Sequence, residues 1–226
     1  MTFETVAVTD ASLDDLDYTQ INKFFKSLNV AAEQPQNILM EAFGFVEKVS
    51  QEYLPTIGGL LLFGKNPIVY LPNCYVKISC EDYSDMISGN IPVMLEQATD
   101  AVCKIISQPD FPMDALEEAL ANALIHRDYF DLSRGVDIKI TDKTIEIINP
   151  GAITGGSKVY LHLKDFPPER RNAWLYQRLI TIDEKRRFLN AGIGINRIRE
   201  AFREIGAVKF VNLGRQNCFK VVLPRG

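Results

Sequence analysis

The chain has 226 residues, enough for a well-filled core in one large domain or two small ones. Hydrophobic residues make up 46% and charged residues 24%, a globular balance that excludes intrinsic disorder. The net charge of −4 hides a division: residues 1–163 hold 11 Lys/Arg against 23 Asp/Glu, whereas residues 164–226 hold 14 against 6.

A basic final third could face phosphates. The simpler reading is that Arg178, Arg187, Arg197, Arg199 and Arg203 solvate helix surfaces, as charge runs usually do. The N-terminus "MTFETVAVTDASLDD" has no basic region leading into an apolar run, so it does not read as a signal peptide. The longest apolar run, "IGGLLLF", is far too short to span a bilayer, and a soluble, cytoplasmic protein is expected. The four cysteines, Cys74, Cys80, Cys103 and Cys218, form no C-x-x-C pair. With only His126 and His162 beside them, they read as reduced, partly buried thiols rather than zinc ligands.

In chain order, residues 12–30 show Ile21, Phe24, Phe25 and Leu28 at helical spacing, and a second helix is expected over 36–48. "TIGGLLLFG" is an apolar run between Pro55 and "GKNP", expected to be a buried strand. "IVYLPNCYVKISCED" predicts a further strand broken at Pro72. "PVMLEQATDAVCKII" is helical, with Val93, Leu95, Ala98, Ala101, Val102 and Ile105 on one face. The next helix starts near Asp114, where Asp114 and Glu117 have capping-box spacing. "VDIKITDKTIEIIN" alternates around a Thr-Asp-Lys turn and predicts a hairpin. "PGAITGGS" reads as loop, 172–190 as helix, "INRIREAFREIG" as a helix stopped by Gly206, and "VKFVNLGRQNCFKVVL" as a closing hairpin. The hairpins make the expected fold α+β: a mostly antiparallel sheet with helices packed on it.

Three motifs mislead. "GLLLFGK" has the G-x-x-x-x-G-K spacing of a phosphate-binding loop, but Asn66 stands where Ser or Thr must reach Mg²⁺, and the interior is apolar. An ordinary P-loop motor helicase is therefore excluded. "HRD", residues 126–128, lacks the asparagine and companion motifs of a kinase catalytic loop. "GIGINR" lacks the third glycine and the preceding strand of a dinucleotide fingerprint.

The helix "MDALEEALANALIH" is different. Glu118, Asn122 and His126 recur every four residues and span about 80° of arc, beside the small Ala115 and Ala119. An amide oxygen can hold a divalent cation that carries nucleotide phosphates, and a carboxylate one turn away can orient or deprotonate water. A solvent-facing polar stripe is the plain alternative.

The order of this E-x-x-x-N helix, a strand, the glycine turn "NPG" and a "GIG" opening a helix resembles the GHKL ATPases. More closely, "PTIGGLLLFGKNP", "ALEEALANALIHRDY", "IEIINPG" and "AGIGINRI" together resemble the C-terminal region of RecG-related, Schlafen-like AlbA-domain transcriptional regulators. The resemblance runs from about residue 14 to Leu223. It implies a GHKL (Bergerat-like) ATPase-type sandwich over 111–226, preceded by a smaller α/β segment over 1–110 that packs on it. It implies ATP and Mg²⁺ as ligands, Glu118 as general base and Asn122 as the Mg²⁺ ligand. Asn149 and Gly151 would stand in the adenine-binding turn, and Gly192 and Gly194 would approach phosphates.

Departures from the family pattern point to weak or absent hydrolysis. Asn149 replaces the Asp that accepts from the adenine amino group. The stretch after the turn is short for an ATP lid unless residues 152–190 serve. DNA would be contacted mainly through an AlbA-like domain that this chain does not contain. The alternative role is a non-catalytic scaffold that forms a homodimer or docks a DNA-binding domain.

Overall fold

The computed structural model describes residues 3–30, 36–81, 83–153, 156–160, 171–183 and 194–226. Among them, Arg178 and Gly194 can be placed; His162, Arg187, Gly192 and the 184–190 part of the expected helix lie outside the described residues.

The N-terminal part builds α1 (Tyr18–Ser27), α2 (Gln36–Ala42), a hairpin of β1 (Val46–Val49) and β2 (Glu52–Pro55), and α3 (Ile57–Phe63). Helix α1 begins where the Asp17 carboxylate accepts from the backbone N–H groups of Thr19 and Gln20, at 2.9 and 3.3 Å. Its inward residues Phe24 and Phe25 join Phe43, Phe45 and Phe63 in an aromatic cluster of mostly edge-to-face contacts. The second expected helix, 36–48, is cut short at Ala42, and its remainder enters β1.

The run "TIGGLLLFG" corrects the sequence reading: it is α3, a helix and not a strand. Thr56 caps it, accepting from the Gly59 N–H at 2.9 Å and donating to the Gly44 carbonyl at 2.7 Å. Every residue from Gly58 to Phe63 is buried, so no 3.6-residue alternation betrays the helix. The glycines permit close packing. A Cβ on Gly59 would lie 2.1 Å from the Phe45 carbonyl oxygen, and one on Gly58 would lie 2.4 Å from the Trp174 ring.

Among the described residues the sheet has seven strands in the order β4-β3-β5-β6-β9-β8-β7. They are β3 (Tyr75–Cys80), β4 (Tyr83–Ser88), β5 (Val136–Ile140), β6 (Thr144–Pro150), β7 (Lys158–Tyr160), β8 (Lys209–Leu213) and β9 (Cys218–Pro224). Among the described strands the β3–β5 pair alone is parallel, so the sheet is mostly antiparallel, as the hairpins predict. Strands from both sides of residue 110 thus share one sheet. The buried residues Ile78, Ile138, Ile147, Val221 and Phe210 face one another across five successive strands and form an inward row. On the opposite face, Lys220 donates to Glu146 at 3.1 Å.

Helix α4 (Ile91–Ile106) packs on β3 and β4, and α5 (Met113–Ile125) packs on β6 and on α4. Asn90 starts α4 by accepting from Val93 N–H at 3.1 Å, while its own amide donates to Gly64 at the end of α3, at 3.1 Å. Helix α5 starts at Met113 behind Pro112, with Asp114 inside its first turn, so the expected capping box does not form. Helices α6 (Ala173–Ile182) and α7 (Gly194–Ala201) complete the described elements; α6 packs on α1 and α3, and α7 on α5. Among the described residues, no helix is long and apolar enough to cross a membrane.

Candidate functional site

Helix α5 carries Glu118 and Asn122 one turn apart, on a side covered by α7. Glu118 is buried, with 8% exposure. Its Oε2 lies 3.5 Å from Arg197 Nη1, one turn into α7. Gly194, the first residue of α7, is packed against the same carboxylate: a Cβ there would stand 2.1 Å from Glu118 Oε1 and 3.6 Å from Asn122 Nδ2. A side chain at position 194 would have to displace the carboxylate. Glu118, Asn122 and Gly194 therefore converge, and Arg197 joins them. Burial pushes the Glu118 carboxyl above its ordinary value, and the Arg197 guanidinium pulls back against that rise.

The C-terminal end of α5 is finished by side chains from elsewhere. A helix leaves its last carbonyls without intrahelical donors, and here each is met. The Asn149 amide, oriented to donate, reaches the Ala123 carbonyl at 3.0 Å. Tyr129 Oη donates to Leu124 at 2.8 Å, and Asn172 Nδ2 donates to Ile125 and Arg127, both at 2.7 Å. Asn149 and Pro150 are not in a turn, as the sequence suggested. They are the last residues of β6, paired with Phe219 and Cys218 of β9, and Asn149 is buried.

Gly151 follows with φ +113°, a conformation that favours glycine. Its N–H donates to the Asn217 carbonyl at 2.8 Å. A Cβ on it would meet Arg171 Nη1 at 1.8 Å and Asp128 Cβ at 2.9 Å. Arg171 donates to the carbonyls of His126 and Ala152, at 3.4 and 3.2 Å, and its own carbonyl lies 3.0 Å from His126 Nδ1. The third member of the polar line, His126, is thus bound to the backbone just before α6. Asn149 and Gly151 border the C-terminal end of α5, while Glu118, Asn122 and Gly194 lie along the α5–α7 contact.

The sequence reading missed Arg197, Asn172, Arg171 and Tyr129 as parts of this arrangement. Arg197 had a detectable signal: a cation three residues after the first residue of a helix opened by glycine. The others reach α5 only through the tertiary fold.

Other basic residues have local duties. Arg178 stacks over Trp174 at 3.9 Å and donates to the Phe43 carbonyl at 3.1 Å, and burial pulls its pKa down. Arg203 sits 3.3 Å from Glu200. Arg199 lies over Phe210 at 5.2 Å. Arg127 is 1% exposed and donates to the backbone carbonyls of Asp131 and Arg134, with its guanidinium 4.9 Å from the Tyr129 ring. The "RD" of "HRD" therefore organises a loop. Among the described residues, no group of three or more His, Cys, Asp or Glu could hold a metal ion by itself.

Comparison with known proteins places part of the chain. Residues 133–223 match the family described as "Putative ATP-dependent DNA helicase recG C-terminal". That part is therefore similar to a RecG-related, ATPase-like region, in keeping with the α+β, GHKL-type architecture. The match contains Asn149, Gly151, Gly192 and Gly194 and stops short of Glu118 and Asn122. No curated protein matches the chain. The crystal structure of the DIP2311 protein from Corynebacterium diphtheriae shares the fold, with a TM-score of 0.67 and 20% identity over 99% of this chain. This chain spans 47% of the length of that protein.

Proposed function

We propose that the chain is an ATP-binding module of GHKL type from a RecG-related, DNA-binding regulator, with residues 111–226 supplying the site and β3 and β4, from the first 110 residues, completing its sheet. The observation that carries this reading is the meeting of Glu118, Asn122 and Gly194 in one place, with Arg197 beside them. The residues fit the ligands. Asn122, whose Nδ2 is its atom nearest Gly194, would turn its amide oxygen to Mg²⁺, which prefers oxygen donors and shares nucleotide phosphates. Mg²⁺, when bound, would offset phosphate charge. Helix α7 begins at Gly194, and a helix N-terminus directs backbone N–H groups toward an anion, with no side chain at Gly194 to block it.

Glu118 would accept a hydrogen bond from a water and orient it toward a terminal phosphate. Its burial strengthens its hold on a proton, which suits a general base. Asn149 and Gly151 would border the base. Asn149 is already committed to Ala123 of α5, so recognition of an adenine amino group there is weak, and turnover is slow or absent.

That same bond favours the second reading, a scaffold that has lost nucleotide binding and forms a homodimer or docks a DNA-binding domain. Thermal melts of wild type and Asn122→Ala, each with and without ATP and Mg²⁺, separate the two. The nucleotide reading expects ATP and Mg²⁺ to raise the melting temperature of wild type alone, with both proteins melting alike in their absence. A parent indifferent to ATP and a variant that melts several degrees lower would identify Asn122 as structural and leave the scaffold.

A further inference from the structure

Arg197 is held at one end and open at the other. Its Nη1 lies 3.5 Å from the buried Glu118 carboxylate, while its side chain is 50% exposed. Guanidinium has five N–H donors in a fixed fork, and one long contact to a carboxylate leaves most of them free. Gly194, three residues earlier on α7, touches the same carboxylate. Any phosphate arriving at this helix end therefore approaches a carboxylate that burial keeps from water. Two anions at such a distance repel, and the cost grows in a water-poor site.

We propose that Arg197 bridges Glu118 and the terminal phosphate of the nucleotide, and that it makes the site distinguish a triphosphate from a diphosphate. The inference rests on the nucleotide reading and extends it to the choice among nucleotides. One face of the guanidinium stays on Glu118 Oε2. The exposed face donates to a terminal phosphate oxygen, and the cation between them removes the repulsion. A diphosphate does not extend to this point and gains nothing from Arg197. Lys presents a single compact charge and does part of this work; a neutral residue does none.

The test measures the affinities of ATP and ADP, with Mg²⁺, for the full chain, for Arg197→Gln and for Arg197→Lys, with circular dichroism to verify folding. Wild type is expected to prefer ATP. Arg197→Gln should lose about tenfold to a hundredfold in ATP affinity, the scale of a lost charge-assisted contact, while ADP affinity stays level. Arg197→Lys should keep a reduced preference. A second measurement needs no variant: the Arg197 Nε resonance in the wild-type chain should move on addition of a non-hydrolysable ATP analogue and stay in place with ADP. If wild type binds ATP and ADP while Arg197→Gln keeps the same ratio between them, or both nucleotides move the resonance alike, Arg197 does not read the terminal phosphate and only this inference falls. If wild type binds neither nucleotide, this inference falls together with the nucleotide reading.

Discussion

Gly194 and Glu118 are pressed together so closely that a methyl group at position 194 would stand 2.1 Å from the Glu118 Oε1 atom. Residues 76 positions apart in sequence thereby fix how α7 seats on α5. Gly194→Ala should force the carboxylate aside or lift α7. Overpacking of this kind costs about 1–3 kcal/mol, visible as a lower melting temperature. Nucleotide affinity should fall with it. An alanine variant with unchanged stability and binding would show that the two residues are not coupled.

Glu118 should cost the protein stability at neutral pH. Burial raises its carboxyl pKa in the fold, with Arg197 opposing. A carboxyl whose folded value is raised binds its proton more readily when folded. Its favourable contribution is full below the unfolded value and is lost as pH rises through the folded one. Glu118→Gln should therefore melt above wild type at pH 7, and the gap should close toward pH 4. A glutamine variant that melts lower at pH 7 would mean the Arg197 pairing outweighs the burial.

Asn149 is expected to behave as a helix cap. Asn149→Asp places an acceptor against the Ala123 carbonyl, where the amide now donates at 3.0 Å. The lost bond should cost about 1–3 kcal/mol. Although the change restores the carboxylate that GHKL ATPases carry at the adenine turn, nucleotide binding should not tighten. An equally stable variant with tighter ATP binding would assign the position to the base.

The hairpins were legible because β5, β6 and β8 bury alternate residues, as β9 does over Val221–Leu223, and alternation survives translation into sequence. The line of Glu118 and Asn122 was legible because a helix repeats every turn. The run at α3 was not, since a helix buried on all sides and seven residues long has the same apolar pattern as an inner strand. The turn expected at Asn149–Gly151 failed for a different reason. Pro150 stands at the very end of β6, where its missing N–H breaks no necessary bond, so a turn-forming dipeptide ends a strand. Arg127 could not be read at all, because its partners are backbone carbonyls of a loop, which leave no mark on residue identity.

The cysteines should separate by reactivity. Cys103 is exposed and Cys80 half-buried, while Cys74 and Cys218 are buried. Burial pushes the Cys74 thiol up to about 12, and its Sγ donates to the Gly89 carbonyl at 3.2 Å. Burial raises Cys218 as well. Thiolate, not thiol, reacts. A thiol reagent applied to the native protein near pH 8 should label Cys103 first and leave Cys74 and Cys218 until denaturant is added. Mass spectrometry of the labelled peptides checks the order, and early labelling of Cys74 would contradict the packing of α4 on β3.

ATP and Mg²⁺ are proposed to bind where Glu118, Asn122, Gly194 and Arg197 meet. Calorimetric titration of the wild-type chain and of Asn122→Ala with ATP and Mg²⁺ addresses this most directly. Binding to wild type should be saturable at one site per chain and Mg²⁺-dependent, and weakened by about 1–3 kcal/mol in a variant that folds as well as its parent. No heat of binding to wild type, or equal binding to both proteins, would contradict it.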